Sequence, residues 1–91
     1  MAQDTLISQL AQRATKTLCE LLIVHDLTEA VDSVCSTAVP GDLVRTEIVV
    51  LRAEHLADVM HFLVRFCPDL LDLWYSTETG RDIIGMHRRR P

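Results

Sequence analysis

The stretch "EHLADVMHFLVR", residues 54–65, crowds together side chains that can exchange a proton or hold a metal: Glu54, His55, Asp58 and His61. On a helix, where each residue turns about 100°, Glu54, Asp58 and His61 share a face with Glu47 and Arg65. Carboxylate and imidazole are suitable ligands for zinc or iron. Helical carboxylate sites, however, use Glu-x-x-His contributed by more than one helix. Here Glu54 and His55 are adjacent, and "DVMH" supplies Asp in place of Glu. His25 stands alone and His87 lies in a basic C-terminal run, so no second helix completes a shell. The stripe reads as a solvated face laced by i,i+4 charge pairs, and no metal or other cofactor is expected.

Other chemistry finds little purchase. G-x-S-x-G, H-E-x-x-H, a phosphate-cradling glycine loop and a dinucleotide fingerprint are all missing. Cys19, Cys35 and Cys67 are odd in number and unpaired in spacing, and each lies in an apolar pattern. They read as reduced packing thiols in a cytoplasmic protein. No catalytic residue is assigned, and the chain is expected not to be an enzyme.

The elements that would position these groups come from periodicity. From Thr5 to Val24, Leu6, Ile7, Leu10, Ala11, Ala14, Leu18, Leu21 and Leu22 fall on one helical face. Gln9, Gln12, Arg13, Lys16 and Glu20 fall on the other, and Asp4 suits the N-cap. "DLTE" at 26–29 has the form of a capping box for a second, short helix burying Leu27, Ala30, Val31, Val34 and Ala38. Pro40-Gly41 ends it. Residues 43–67 fit a long third helix, because strand alternation breaks at "IVVL". "PDLLDLWY" then reads as a fourth helix with Pro68 in its first turn. No internal repeat stands out. The expected fold is all-α: three to four helices in a small antiparallel bundle, with residues 1–86 as one domain and 87–91 as a basic tail.

A chain of 91 residues with 48% hydrophobic content carries much apolar side chain for its interior. The long helix would expose one thin stripe and need cover on both flanks, which predicts a homodimer. Val49, Leu56, Met60 and Leu63 on that helix, with Leu70, Trp74 and Tyr75 after it, are the candidate interface residues. Charge is uneven: residues 1–78 carry −7 and residues 79–91 carry +3, giving the overall −4. "HRRR" at 87–90 can contact phosphate, but an acidic body repels nucleic acid. No uncharged apolar run reaches the roughly 18 residues of a membrane span, so a cytoplasmic protein is expected. By elimination the function is protein–protein interaction. In size and class, though in no motif, the chain resembles small bacterial regulatory binders, such as anti-activators that occupy a surface of a transcription regulator. A small nucleic-acid-associated protein using the Arg88–Arg90 tail is the alternative.

Overall fold

The computed structural model describes residues 2–67 and 69–89, with side chains from Gln9 onward. Helix α1 already begins at Ala2, so Asp4 lies within it and is not its N-cap; the burial of Leu6 and Ile7, the break at Pro68 and the tail end at Arg90 lie outside what the structure describes. The elements run α1 (Ala2–Val24), β1 (Val31–Val39), β2 (Leu43–Val50), α2 (Leu56–Phe66), β3 (Leu70–Glu78) and β4 (Arg81–Arg89). Short 3-10 turns occupy Thr28–Ala30 and Ala53–His55. The strands form one antiparallel sheet in the order β1-β2-β4-β3. The chain is therefore a mixed α/β fold, and the expected all-α helical bundle is wrong. The second expected helix is β1, the first part of the long helix is β2, and the fourth is β3. Residues 87–89, expected in a tail, complete β4.

The first helix matches its pattern. Ala11, Ala14, Leu18 and Leu22 are buried, while Gln9, Gln12, Arg13, Lys16 and Glu20 are exposed. Its end explains one misreading. Leu27 N–H donates to Leu22 C=O at 2.9 Å and Asp26 N–H to Ile23 C=O at 3.1 Å, with Asp26 at φ 59. That is a Schellman ending, with Asp26 in the left-handed position that acidic and amide residues tolerate. Asp26 closes α1 and opens no second helix.

The strands were hidden by β-bulges. Val31 and Val34 both pack on the core, an i,i+3 spacing typical of a helix, because the ladder to β2 shifts register between Val31 and Ser33. Leu70 and Leu73 repeat this spacing through a shift between Leu70 and Asp72. An extra residue in one strand turns the alternation over by one step. In β2 the alternation is regular: Val44, Thr46, Ile48 and Val50 are buried, and Arg45, Glu47 and Val49 face the other side. The run at 48–51 broke the binary pattern because Val49 is apolar on the opposite face. Within α2, Val59, Phe62 and Leu63 are buried, and Asp58, His61 and Arg65 are exposed, as the wheel required.

Two αββ units with the same ladder build the molecule. In the first hairpin Val31 pairs Val50, Ser33 pairs Val49 and Cys35 pairs Glu47; in the second Leu70 pairs Arg88, Asp72 pairs His87 and Trp74 pairs Gly85. The centre of the sheet pairs Glu47 with Gly85, Ile48 with Ile84 and Thr46 with Met86. Exchanging the units maps each of these pairs onto another, so a pseudo-two-fold axis passes through the Glu47–Gly85 pair. At equivalent positions apolar character is kept (Val31 and Leu70, Val34 and Leu73, Ile48 and Met86), but residue identity is not. The duplication is one of register and lies beneath any repeat in the letters.

Both helices cover one face. Leu18, Ile48, Leu63, Ile84 and Met86 are completely buried there, each contributing about 1.5–3 kcal/mol by leaving water. Arg88, the pseudo-symmetric mate of Val50, is buried in the same layer at 4% exposure. Its Nη2 donates to Ala14 C=O and to Thr46 Oγ1, each at 3.0 Å, while its Nε has no partner. Small residues Ala11 and Ala14 line the buried side of α1 at this level. Arg88 thus ties α1 to the sheet without any carboxylate among the described ion pairs.

Candidate functional site

The sheet face opposite the helices is covered by no element among the described residues. Its rows follow from the ladder: Ser33, Val49, Ile83 and Ser76; then Cys35, Glu47, Gly85 and Trp74; then Thr37, Arg45, His87 and Asp72. Trp74 dominates this face. It sits half-buried with its indole lying across β4, directly over Gly85. Any Cβ at Gly85 would collide with Cε2, Cζ2 and Nε1 of the ring. Gly85 has no positive φ and takes ordinary strand geometry. Its missing side chain is the seat for the indole, the close approach that an isolated strand glycine often marks.

Charged groups frame the ring. The Arg45 guanidinium lies 5.3 Å from the indole centroid and the His87 imidazole centroid 4.9 Å from it. Each is already paired: Arg45 Nε is 3.1 Å from Glu47 Oε1, and His87 Nδ1 is 2.8 Å from Asp72 Oδ1. An ionised carboxylate only accepts, so in this pair Nδ1 carries the proton toward Asp72. The His87 backbone N–H also donates to Asp72 Oδ1, at 3.2 Å. Ile83, within the same face, is only 7% exposed. The result is a flat surface with an aromatic centre and a rim of neutralised charge. The His87 imidazole is thus held by its ring and backbone bonds to Asp72.

The pseudo-two-fold makes the specialisation plain. The mates of Trp74, Gly85, His87 and Asp72 in the first unit are Cys35, Glu47, Val49 and Ser33. On this face only the second unit carries the aromatic and the imidazole, while β1 contributes the small side chains Ser33, Cys35 and Thr37.

The remaining candidates scatter. Val49 lies on the open face, half-buried. Leu56 and Met60 are half-buried on α2, packed against the core, and Leu63 is completely buried within it. Leu70 is half-buried on the helix side of β3. Tyr75 points to the helix side too, 48% exposed at the sheet edge, with its hydroxyl donating to Asp82 Oδ1 at 2.6 Å. That bond holds the phenol proton and raises its pKa above the ordinary value. Of the seven, Val49 and Trp74 alone share the open face. Glu54 lies in the turn before α2, with Asp58 and His61 exposed on α2 itself. Among the described residues no three His, Cys, Asp or Glu side chains are placed to hold a metal ion. Cys35 is exposed and Cys67 buried, where burial, partly offset by nearby Arg88, raises its thiol pKa. Gly85, Arg45, Asp72 and His87 were missed. The lone glycine in "DIIGMH" was the available signal.

No helix among the described residues is long and apolar enough to cross a membrane. Compared with protein-family models, curated proteins and solved structures, the chain matches none.

Proposed function

We propose that the chain is a small non-enzymatic binding module that docks on a protein partner through the open sheet face, with Trp74 as its anchor. The observation that supports this most is the half-buried indole seated over Gly85 on a face that no element among the described residues covers. Tryptophan and arginine are the residue types that dominate interface energetics, and an indole held by its own sheet loses little freedom on binding. Protein is favoured over nucleic acid by charge. Arg45 is spent on Glu47 and His87 on Asp72, and Arg88, counted in the basic tail, is buried in the core. What remains is a poor phosphate binder on an acidic chain. A ring between Arg45 and His87 is also a surface on which a base can stack, and this second reading differs in its salt dependence.

The test uses Trp74→Ala and Arg45→Ala baits beside the wild type, with the partner retained from native extract purified and its affinity measured. Loss of about 2–4 kcal/mol, some 30- to 1,000-fold, is expected for Trp74→Ala. A folded Trp74→Ala protein that binds the same partner unchanged overturns the proposal. Quenching of Trp74 by a single-stranded oligonucleotide, falling steeply with salt, transfers support to the second reading.

A further inference from the structure

The two edges of the sheet are related by the pseudo-two-fold but are not defended alike. Strand β3 carries Asp72 within it and Glu78 at its end, whereas β1 carries Asp32 near its start and then runs uncharged through Ser33–Ala38, "SVCSTA", with no proline or glycine. Natural edge strands are usually blunted by such residues, because a bare edge templates pairing with another chain. Its open-face side chains, Ser33, Cys35 and Thr37, are small and exposed, so they leave the backbone approachable.

The apolar surface beside this edge is continuous with it. A groove of about 240 Å³ runs between the end of α1 and β1, lined mainly by Cys19, Leu22, Ile23, Val31 and Val34, with Asp32 at its rim. Ile23 and Val24 stand 64% and 76% exposed next to it. We infer that β1 pairs antiparallel with β1 of a second copy of this chain, joining two four-stranded sheets into one of eight strands.

Three features select a second copy as the occupant. Antiparallel pairing about a two-fold axis requires the summed positions of each pair to be even, so open-face residues meet open-face residues; centred on Cys35, Ser33 of one copy meets Thr37 of the other. No like charges are opposed along Ser33–Ala38, which self-pairing demands. The area also suffices. The nine-residue strand is about 30 Å long and the molecule is 20 Å through its thinnest dimension. Edge and groove together can bury no more than roughly 600 Å² per copy, at the lower end of specific interfaces, which suits a reversible dimer. The apolar groove and Ile23 are then covered from the neighbouring copy.

The experiment is sedimentation velocity of the full chain from low micromolar to sub-millimolar concentration, with amide hydrogen exchange at both ends of that range. The expected result is a reversible dimer in which Ser33–Ala38 amides gain protection with concentration and β3 amides do not. Cys35→Lys and Thr37→Lys, both at exposed positions, should weaken the dimer at least tenfold with unchanged circular dichroism. Trp74→Ala should leave it intact, which separates this interface from the partner face. A monomer throughout the range overturns the inference. So does a dimer in which β1 exchange is independent of concentration, or one lost in Trp74→Ala. If a lysine variant fails to fold, the wild-type exchange pattern alone decides.

Discussion

Substituting Gly85 by alanine isolates the feature on which the binding face rests. The backbone there accepts any residue, so alanine alone should favour a strand by about 0.5–1 kcal/mol over glycine. The added methyl, however, occupies the space of Cε2, Cζ2 and Nε1 of Trp74. The indole must leave its seat. A buried tryptophan covers about 150–250 Å², and at half burial roughly 100 Å² returns to water, worth about 2.5 kcal/mol. Loss of the Arg45 contact over the ring adds about 0.5–1 kcal/mol. The net expectation for Gly85→Ala is destabilisation by about 2 kcal/mol. In a Trp74→Ala background the same change should stabilise slightly, because nothing lies over residue 85. The two substitutions should therefore couple by about 3 kcal/mol, the upper end for residues in direct contact.

Urea unfolding of the four proteins in the cycle measures this, and the sole tryptophan reports the cause. In Gly85→Ala the emission should shift to the red and become more accessible to quencher before any unfolding. A Gly85→Ala protein as stable as the wild type, with unchanged emission, would falsify the seating of the indole and remove the main support for the binding face.

Two further outcomes follow from the backbone and the core. Arg88→Met should be neutral or stabilising by about 1–3 kcal/mol in thermal or urea unfolding, since it removes a buried charge with an unpartnered Nε and leaves Thr46 its bond to Ser36 at 2.9 Å; a loss above about 1 kcal/mol would mean that an anionic partner neutralises Arg88. Thr79 and Gly80 form the β3–β4 turn at φ 51 and φ 77, a geometry that penalises a β-branched residue in the first position. Thr79→Asn should stabilise by about 0.5–1 kcal/mol, and an unchanged urea midpoint would contradict the strain.

What the sequence made legible was governed by which elements keep an unbroken period. Helix α1 does, and so does α2 once its true start at Leu56 is known. Strand β2 was readable in principle: Arg45 and Glu47 alternate with Val44, Thr46 and Ile48, and only the apolar Val49 obscured it. Strands β1 and β3 were not, because a bulge sits at the start of each and converts period two into an apparent i,i+3 step. The same disguise in both hairpins is a consequence of the duplication. A bulge bends and twists its strand, and both units need that bend to carry a sheet beneath one helix each.

The candidate site was legible for a different reason. Trp74 drew attention as the only tryptophan, placed on a helix that does not exist, whereas the residues that fix it come from β2 and β4, far away in sequence. Register supplies that neighbourhood, and register depends on bulges and turns that periodicity averages away. The paired architecture also bears on the proposed binding face. Several core positions keep apolar character across the axis, as in Val34 and Leu73, although Thr46 answers to Ile84 and Val50 to Arg88. On the open face no packing demand applies, and Cys35 stands opposite Trp74, Val49 opposite His87 and Ser33 opposite Asp72. Around the indole the two units differ in chemistry at every one of these positions, which agrees with the proposed binding face but stands second to the seating of Trp74 over Gly85.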